Sequence, residues 1–312
     1  MKYKDKFLGT MPDITLADLT GKKIHWIWRR RTKLNIPSYR SLFGCLPKFS
    51  YDVDAFNDIN SNIKAYWLGF YFADGCVCKT TGNRYIVTIS SIDEEVPLKL
   101  KKFYNIDSNH YISNKQINNK FVYSLQLCNK KLFMDLCKLG CLPNKSCILS
   151  KPIIDEKYYL PFILGYFDGD GSISRNSSIN SWKVSIGTGG ASFFEWLANT
   201  INHIGFTYSV TVKNKFYTIS LCGISAKTLL DKLYSTVPAD LPLSRKMEMY
   251  EKLKIVKFKK GPNFLEWENV YIKQNKDNFI CSELISKDKR NYGWVRSPES
   301  IRKVRTRLEI NY

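Results

Sequence analysis

Hydrophobic and polar positions repeat along the middle of the chain in two similar halves. Each half begins with an apolar stretch that ends in Asp-Gly, AYWLGFYFADG at 65–75 and PFILGYFDGDG at 161–171. The aspartates Asp74 and Asp170 lie 170 − 74 = 96 residues apart, and Cys128 and Cys222 lie 222 − 128 = 94 residues apart. This nearly constant offset indicates that a whole domain has been duplicated.

The pattern between these landmarks predicts the same order of elements in both halves. Alternating stretches rich in β-branched and aromatic residues predict strands. We place them at 76–80, 84–90, 109–115 and 120–127, and again at 172–176, 181–187, 207–213 and 215–221. Helical stretches precede, separate and follow the strand pairs. We therefore expect an α+β fold of two α-β-β-α-β-β-α half-domains with pseudo-twofold symmetry, each with a saddle-shaped antiparallel sheet.

The segment before the repeat predicts two short helices. A turn at Thr20-Gly21 separates them, and the second helix would turn Ile24, Ile27 and Leu34 inward. Two helices joined by such a turn are typical of a helix-turn-helix DNA-binding unit. We assign residues 1–45 to this N-terminal arm.

The segment after the repeat predicts another basic helix. Ser297 is a plausible N-cap with Pro298 at the first helical position, and Ile301, Val304 and Leu308 form an apolar stripe. We assign this helix to a C-terminal arm. The domain bounds are then 60–150 and 156–256 for the half-domains and 264–312 for this arm, with 41–60 and 256–263 as connectors.

The charge of the chain predicts a polyanionic partner. There are 48 Lys and Arg against 28 Asp and Glu in 312 residues, a formal charge of +20, and this favours nucleic acid. No apolar run approaches the roughly 20 residues that span a bilayer, and no signal peptide is evident, so we expect a soluble intracellular protein. The three histidines are far apart and the nine cysteines lack paired C-x-x-C spacing. The chemistry would therefore use carboxylates, lysines and water.

Basic side chains in or beside the predicted strands, mixed with Ser, Thr, Asn and Gln, predict a sheet face that binds DNA. On the sheets we nominate Lys79, Arg84, Lys115, Lys120, Arg175, Lys183, Lys213 and Lys215. In the arms we nominate Arg29, Arg30, Arg31, Lys33, Arg302, Lys303, Arg305 and Arg307. A solvated sheet face and a protein-binding helix remain the alternatives for these two sets.

The first helix of each half carries small residues four positions apart, Gly69 with Ala73 and Gly165 with Gly169. A glycine inside a helix lowers the stability of the helix by about 1 kcal/mol relative to alanine. Close packing of two helices would explain the glycines, because small residues let the two backbones approach. Such contact would bring together the aspartates at the helix ends, where mutual repulsion and the helix dipoles favour binding of Mg²⁺. We expect the opposite apolar positions, Leu68, Phe72, Leu164 and Phe167, to pack into their own half-domains.

The nonamers WLGFYFADG (67–75) and ILGYFDGDG (163–171) resemble the two LAGLIDADG motifs of a monomeric homing endonuclease. The resemblance implies that the two motif helices form the pseudo-twofold interface and that the sheets follow the major groove of DNA. It also implies that the acid at the eighth motif position, Asp74 or Asp170, binds the metal. Ala73 and Gly169 would offer backbone carbonyls to it.

Members of this family also carry a basic residue near the end of each half, close to the active centre. We nominate Lys145 and Lys246 for this role, with Arg245 as a substitute for the latter. The sixth motif position differs between the halves, Phe72 in the first and Asp168 in the second. Because this position is not the metal ligand of the family, the difference leaves the expected activity intact.

The implied activity is hydrolysis of both strands of a long, specific DNA site by a monomer that uses Mg²⁺, for which Mn²⁺ could substitute. The products would carry short 3′ overhangs. The alternative is a non-cleaving protein of the same fold, either an RNA-splicing maturase or a transcription regulator. The presence of both motif acids favours the enzyme.

Overall fold

The structure is a computed structural model that describes residues 4–43, 50–81, 84–106, 112–176, 181–206, 208–256, 266–274 and 298–307. The chain forms two compact units, Met1–Val256 and Lys257–Tyr312. No helix within the described ranges is long and apolar enough to cross a membrane.

The N-terminal segment contains helices α1 (Asp13–Thr20), α2 (Ile24–Lys33) and α3 (Tyr39–Phe43). Gly21 ends α1 with a left-handed φ of 68°, so α2 begins after a short turn, as predicted. Ile27 of α2 packs with Leu16 and Ala17 of α1 and with Leu8. The prediction that Ile24 and Leu34 face inward is wrong, since they are 49% and 40% exposed. This small core admits only the stripe of α2 that contains Ile27.

The two half-domains have the predicted element order. The first consists of α4 (Asn62–Ala73), β1 (Gly75–Lys79), β2 (Tyr85–Ser91), α5 (Glu95–Phe103), β3 (Ile112–Ile117), β4 (Lys120–Cys128) and α6 (Lys130–Lys138). The second consists of α7 (Tyr159–Asp170), β5 (Gly171–Asn176), β6 (Ser181–Thr188), α8 (Ala191–His203), β7 (Ser209–Lys213), β8 (Phe216–Cys222) and α9 (Gly223–Tyr234), and α10 (Ser244–Lys254) follows. The antiparallel sheets have the orders β1-β2-β4-β3 and β5-β6-β8-β7. The duplicated α+β fold is confirmed, and a strand lies at each of the eight predicted places. Residues 109–111 and 207 of the predicted strands lie outside the described residues.

The strand registers divide each sheet into a core face and an outward face. In the first sheet Val77, Val87 and Leu127 occupy neighbouring positions and are buried. Side chains alternate along a strand, so the outward face carries the other parity. Its residues include Thr88 and Gln126, which are neighbours across β2 and β4.

Residues 50–59 form part of the first half-domain rather than a connector. Phe56 is buried, and its ring lies 5.5 Å from that of Tyr71 and 6.3 Å from that of Tyr104. Asp52 N donates to Tyr104 O at 2.9 Å. The chain here has no periodic pattern because it contributes single aromatic side chains to a core that other elements build.

The C-terminal unit contains α11 (Glu266–Gln274) and α12 (Pro298–Arg307). The second helix begins at Pro298 as predicted, and Ile301 and Val304 are buried. Ser297 and Leu308 lie outside the described residues. Arg307 Nη2 donates to Asn269 Oδ1 at 3.3 Å.

Candidate active site

Helices α4 and α7 touch backbone to backbone at two equivalent places. A Cβ added at Gly69 would clash with Phe162 O, and one added at Gly165 would clash with Tyr66 O. Both members of each contact are related by the same offset, because 165 − 69 = 96 and 162 − 66 = 96. The prediction that small residues permit close helix contact is therefore confirmed for these two glycines.

This contact brings the two motif acids to one place. Asp74 follows α4 as its C-cap, and Asp170 is the last residue of α7. A methyl group placed on Gly169 would lie 3.3 Å from Asp74 Oδ2, so the Asp74 carboxylate reaches across the interface to the end of the other helix. Both side chains remain accessible to solvent.

The electrostatics of the pair resist a double negative charge. Burial, followed by the Asp170 carboxylate, raises the pKa of Asp74 to about 6, while Lys246, Lys145 and Arg245 act in the opposite direction. Burial also raises the pKa of Asp170, and the Tyr166 hydroxyl that hydrogen-bonds to it opposes this rise. Two acids that are hard to ionise together form a site that a cation would stabilise.

The two nominated lysines bind backbone carbonyls near the ends of the motif helices, but they differ in where they lie relative to the motif acids. Lys145 Nζ donates to Ala73 O at 3.0 Å and to Gly75 O at 2.5 Å, on either side of Asp74. Lys246 Nζ donates to Phe167 O at 2.5 Å and to Asp168 O at 2.8 Å, within α7.

Lys246 is only 3% exposed, and this burial lowers its pKa to about 8 against the opposing effect of Asp168. Lys246 therefore caps carbonyls inside the protein, whereas Lys145 lies beside the acid. Arg245, the alternative for Lys246, pairs with Asp93 at 2.9 Å.

The segment that carries Lys246 is held by the first half-domain, which the sequence pattern did not predict. Glu95 of α5 accepts hydrogen bonds from Ser244 N at 2.8 Å and Ser244 Oγ at 2.5 Å. Lys99 Nζ donates to Pro242 O at 2.6 Å. These residues lie about 150 positions apart along the chain, so no local signal could have paired them.

Asp168 is a buried site residue whose partners the sequence did not identify. Its Oδ2 accepts from Tyr66 Oη at 2.7 Å and from Leu243 N at 3.0 Å. Burial raises the pKa of Asp168 to about 6, while the hydrogen bond from Leu243, Lys246 and Tyr66 act against this rise. The one signal in the sequence was the acid at the sixth motif position, which the first half lacks.

The outward sheet faces contain some but not all of the nominated basic residues. Lys115, Lys120, Lys183 and Lys213 have the outward parity and are exposed. Arg84 and Lys215 are exposed beside the β1-β2 and β7-β8 turns.

Lys79 and Arg175 have the core parity. They stack on core-side aromatic rings, with Lys79 Nζ 5.4 Å from the Tyr85 centroid and Arg175 Cζ 5.6 Å from that of Trp182. The prediction that these two lie on the outward face is wrong, because alternation places neighbouring strand residues on opposite sides.

Hydroxyl pairs occupy equivalent positions on the two outward faces. Ser90 Oγ lies 2.7 Å from Ser124 Oγ, and Ser185 Oγ lies 3.0 Å from Ser220 Oγ. Each pair joins the two central strands of its sheet. The outward faces are therefore polar as well as basic.

The arginines of the N-terminal arm have different environments. Arg31 is buried and forms hydrogen bonds to Asp13 at 2.9–3.1 Å, and Arg30 pairs with Asp5 at 2.6 Å. Arg29 and Lys33 are exposed on α2. The expectation that Arg31 is presented to DNA is therefore wrong, since its guanidinium ties α2 to α1.

In the C-terminal arm Lys303 and Arg307 are exposed and Arg305 is buried, 4% exposed. The expectation that Arg305 is presented to DNA is wrong, because it shares the buried side of α12 with Ile301 and Val304. The Arg302 side chain lies outside the described residues.

The donor set at the helix ends fits a hard divalent cation. Asp74 and Asp170 carry carboxylate oxygens, the ligand type that Mg²⁺ prefers. The Ala73 carbonyl, predicted as a further ligand, accepts a hydrogen bond from Lys145 Nζ at 3.0 Å instead, and the Gly169 carbonyl stays a prediction. No group of three or more His, Cys, Asp or Glu within the described ranges could hold a metal ion.

Residues 61–139 match the sequence model of the LAGLIDADG-like domain. The first half of the chain is therefore similar to this domain. The match spans α4 to α6 and includes Asp74, and the second half repeats the same sheet order around Asp170. No curated protein matches the sequence.

Homing endonucleases are among the known structures that this chain resembles. I-DmoI is 17% identical with a TM-score of 0.42, over 56% of this chain and 97% of that one. I-WcaI bound to its DNA recognition sequence is 15% identical, with a TM-score of 0.45 over 64% of this chain and 90% of its own. I-SmaMI bound to uncleavable DNA is 12% identical, with a TM-score of 0.42 over 77% and 95%.

Proposed function

We propose that the chain is a divalent-metal-dependent DNA endonuclease that hydrolyses one phosphodiester bond in each strand of a specific site. The observation that carries this proposal is the convergence of Asp74 and Asp170 at the ends of two helices in backbone contact. Each half supplies one acid, as one cut per strand requires. We further propose Mg²⁺ as the metal, with Mn²⁺ able to replace it, and a homing endonuclease that acts as a monomer on a long target and leaves short 3′ overhangs.

The residues around the acids have distinct proposed tasks. A divalent cation held by Asp74 and Asp170 would lower the pKa of a bound water and neutralise the leaving 3′ oxygen. Lys145, which donates to the carbonyls on either side of Asp74, adds positive charge where the scissile phosphate would lie. Lys246 binds the carbonyls that precede Asp170, and we propose that it positions the end of α7.

The DNA-binding surface that we propose is the pair of outward sheet faces. Lys115, Lys120, Lys183 and Lys213 would contact phosphates, while Ser, Thr and Gln of the same faces would contact base edges. We propose further phosphate contacts in each arm, by the exposed Arg29 and Lys33 of α2 and by the exposed Lys303 and Arg307 of α12. The formal charge of +20 supports a polyanionic partner.

Cleavage selection from a supercoiled DNA library with Mg²⁺ tests the proposal, and the selected site then serves for the variants. Asp74→Asn and Asp170→Asn each keep the shape of the side chain but remove the anionic oxygen ligand. We expect both to bind the site and to reduce cutting by about 100- to 1,000-fold, as loss of one electrostatically stabilising group does.

Asp155→Asn is the matched control, because this acid is 74% exposed and pairs only at the surface, with Lys157. It should cut at the parental rate. Specific binding without any cleavage by the parent protein would instead support the non-cleaving alternative. Cutting by the Asp74 and Asp170 variants at the parental rate would exclude the proposed site.

A further inference from the structure

Two contacts between α4 and α7 are equivalent by position but different in chemistry. At one, Tyr66 Oη donates to Asp168 Oδ2 at 2.7 Å. At the other, the rings of Phe162 and Phe72 meet edge to face, 4.9 Å between centroids. The two are related by the duplication, because 162 − 66 = 96 and 168 − 72 = 96. All four side chains are at most 2% exposed, so water cannot replace a missing partner.

The difference matters when each helix is paired with a copy of itself. If α4 packed against α4 of a second chain in the same geometry, Tyr66 would face Phe72 at both contacts, and two buried hydroxyls would lack an acceptor. If α7 packed against α7, Asp168 would face Phe162 at both contacts, and two buried carboxylates would lose the hydroxyl donor. Burial of a polar group without a partner is unfavourable, most of all for a charged one.

The polar contact is also joined to the rest of the second half. Asp168 Oδ2 accepts from Leu243 N at 3.0 Å, and Lys246 Nζ donates to Asp168 O at 2.8 Å. The aromatic contact extends in a different direction, since the Phe72 ring lies 6.2 Å from that of Phe193 in α8. Phe72 thus packs against the second half-domain, and the prediction that it packs into its own half-domain is wrong on this side. Each contact is therefore supported by surroundings that suit its own chemistry.

We propose that the Tyr66–Asp168 and Phe72–Phe162 contacts make α4 selective for α7, and that they exclude the pairing of α4 with α4, or of α7 with α7, from a second copy of the chain. A duplicated fold in which each interface helix was complementary to its own copy could pair like halves of two chains. Two unlike contacts at equivalent positions remove that option. This explains why the sixth motif position differs between the halves, and it does not depend on the proposed nuclease activity.

A double-mutant cycle on the full chain tests whether the polar contact is coupled. Tyr66→Phe leaves a buried carboxylate without its hydroxyl donor, and we expect the Tm to fall by about 5 °C. Asp168→Phe leaves the Tyr66 hydroxyl without an acceptor and should also lower the Tm. The double variant should lose clearly less than the sum of the two, because it recreates the aromatic contact. Additive losses would overturn the proposal.

Oligomeric state tests specificity, which a merely stabilising contact would not affect. Tyr66→Phe/Asp168→Phe makes both contacts aromatic, and Phe72→Asp/Phe162→Tyr makes both polar, so in either variant each helix becomes complementary to its own copy. After unfolding and refolding at high protein concentration, we expect light scattering to show a larger dimer fraction for these variants than for the parent, because like halves of two chains can then pair.

The control is the variant with all four changes, which moves the polar contact to the equivalent place and restores the difference. It should refold as monomer. If one double variant fails to fold, the dimer fraction of the other double variant still tests the proposal. Dimer fractions equal to that of the parent in every double variant that folds would overturn the proposal.

Discussion

Gly69 is a sensitive position because the backbone of the other motif helix lies directly against it. A Cβ at Gly69 would clash with Phe162 O and would lie 2.8 Å from both Phe162 C and Tyr166 N, where ordinary contact begins at 3.4 Å. In Gly69→Ala the backbone of α7 must therefore retreat by at least 3.4 − 2.8 = 0.6 Å from these two atoms, and farther from the carbonyl oxygen. Backbone in a helix cannot rotate aside as a side chain can.

Two opposing terms set the stability of Gly69→Ala. Alanine is favoured over glycine inside a helix by about 1 kcal/mol, while overpacking of an interface costs about 1–3 kcal/mol. We expect a net loss of about 0–2 kcal/mol and a fall in Tm of a few degrees. Asp170 moves with α7, and a displacement near 1 Å at a reacting group reduces rates about 100-fold. Cleavage should therefore fall far more than stability.

The assay is plasmid cleavage at the selected site together with thermal unfolding of the same preparation. Asn199→Ala, at an exposed position of α8, is the control for helix propensity without a new contact. Gly165→Ala should behave like Gly69→Ala, because its Cβ would meet Tyr66 O and lie 2.7 Å from Tyr66 C. A Gly69→Ala protein that is more stable than the parent and cuts at its rate would refute the close contact of the two helices.

Two further predictions concern pH and the N-terminal arm. The pKa values of Asp74 and Asp168 are both raised from 3.8 to about 6 in the folded protein. Between about pH 4 and 6 the folded protein therefore binds more protons than the unfolded chain. The free energy of unfolding of the metal-free protein should fall as pH rises through this window. Added Mg²⁺ should then raise the Tm little at pH 5 and much more at pH 7.5. In Asp74→Asn this rise in Tm should depend less on pH. A rise in Tm that is the same at both pH values in the parent would contradict the metal assignment. Arg29→Ala should leave the Tm unchanged and reduce the slope of log K for DNA binding against log salt concentration by about 1. Arg31→Ala should instead lower the Tm, because Asp13 loses its guanidinium partner. The same salt slope for the parent and Arg29→Ala would remove this helix face from the DNA-binding surface.

The sequence predicts the fold well because the duplication repeats every local signal. Two copies of the Asp-Gly helix identified the acids, and Gly69 and Gly165 identified the face in contact. The alternation of apolar and polar residues located strands β1 and β5. An error of one residue in that alternation assigns a side chain to the opposite face of the sheet. Lys79 and Arg175 were therefore placed on the wrong side of correctly predicted strands.

The contact between Tyr66 and Asp168 was not predicted because it joins distant segments of the chain. The positions of Tyr66 and Asp168 differ by 168 − 66 = 102, and neither residue carries a local pattern that points to the other. Arg31 was misplaced for a different reason, since a run of arginines does not reveal which member has an acid opposite it. Asp13 sits at the start of the neighbouring helix and binds that one guanidinium at 2.9 Å.

The hydroxyl pairs on the outward sheet faces have a consequence for how the proposed endonuclease could follow a changing target. In Ser90–Ser124 and Ser185–Ser220 each hydroxyl can donate or accept. When a base in the target is replaced by one with reversed polarity, the pair can reverse its internal hydrogen bond by rotation of two hydroxyls. A change in the bound target sequence would then require a reorientation of two hydroxyls and would leave no polar group unsatisfied.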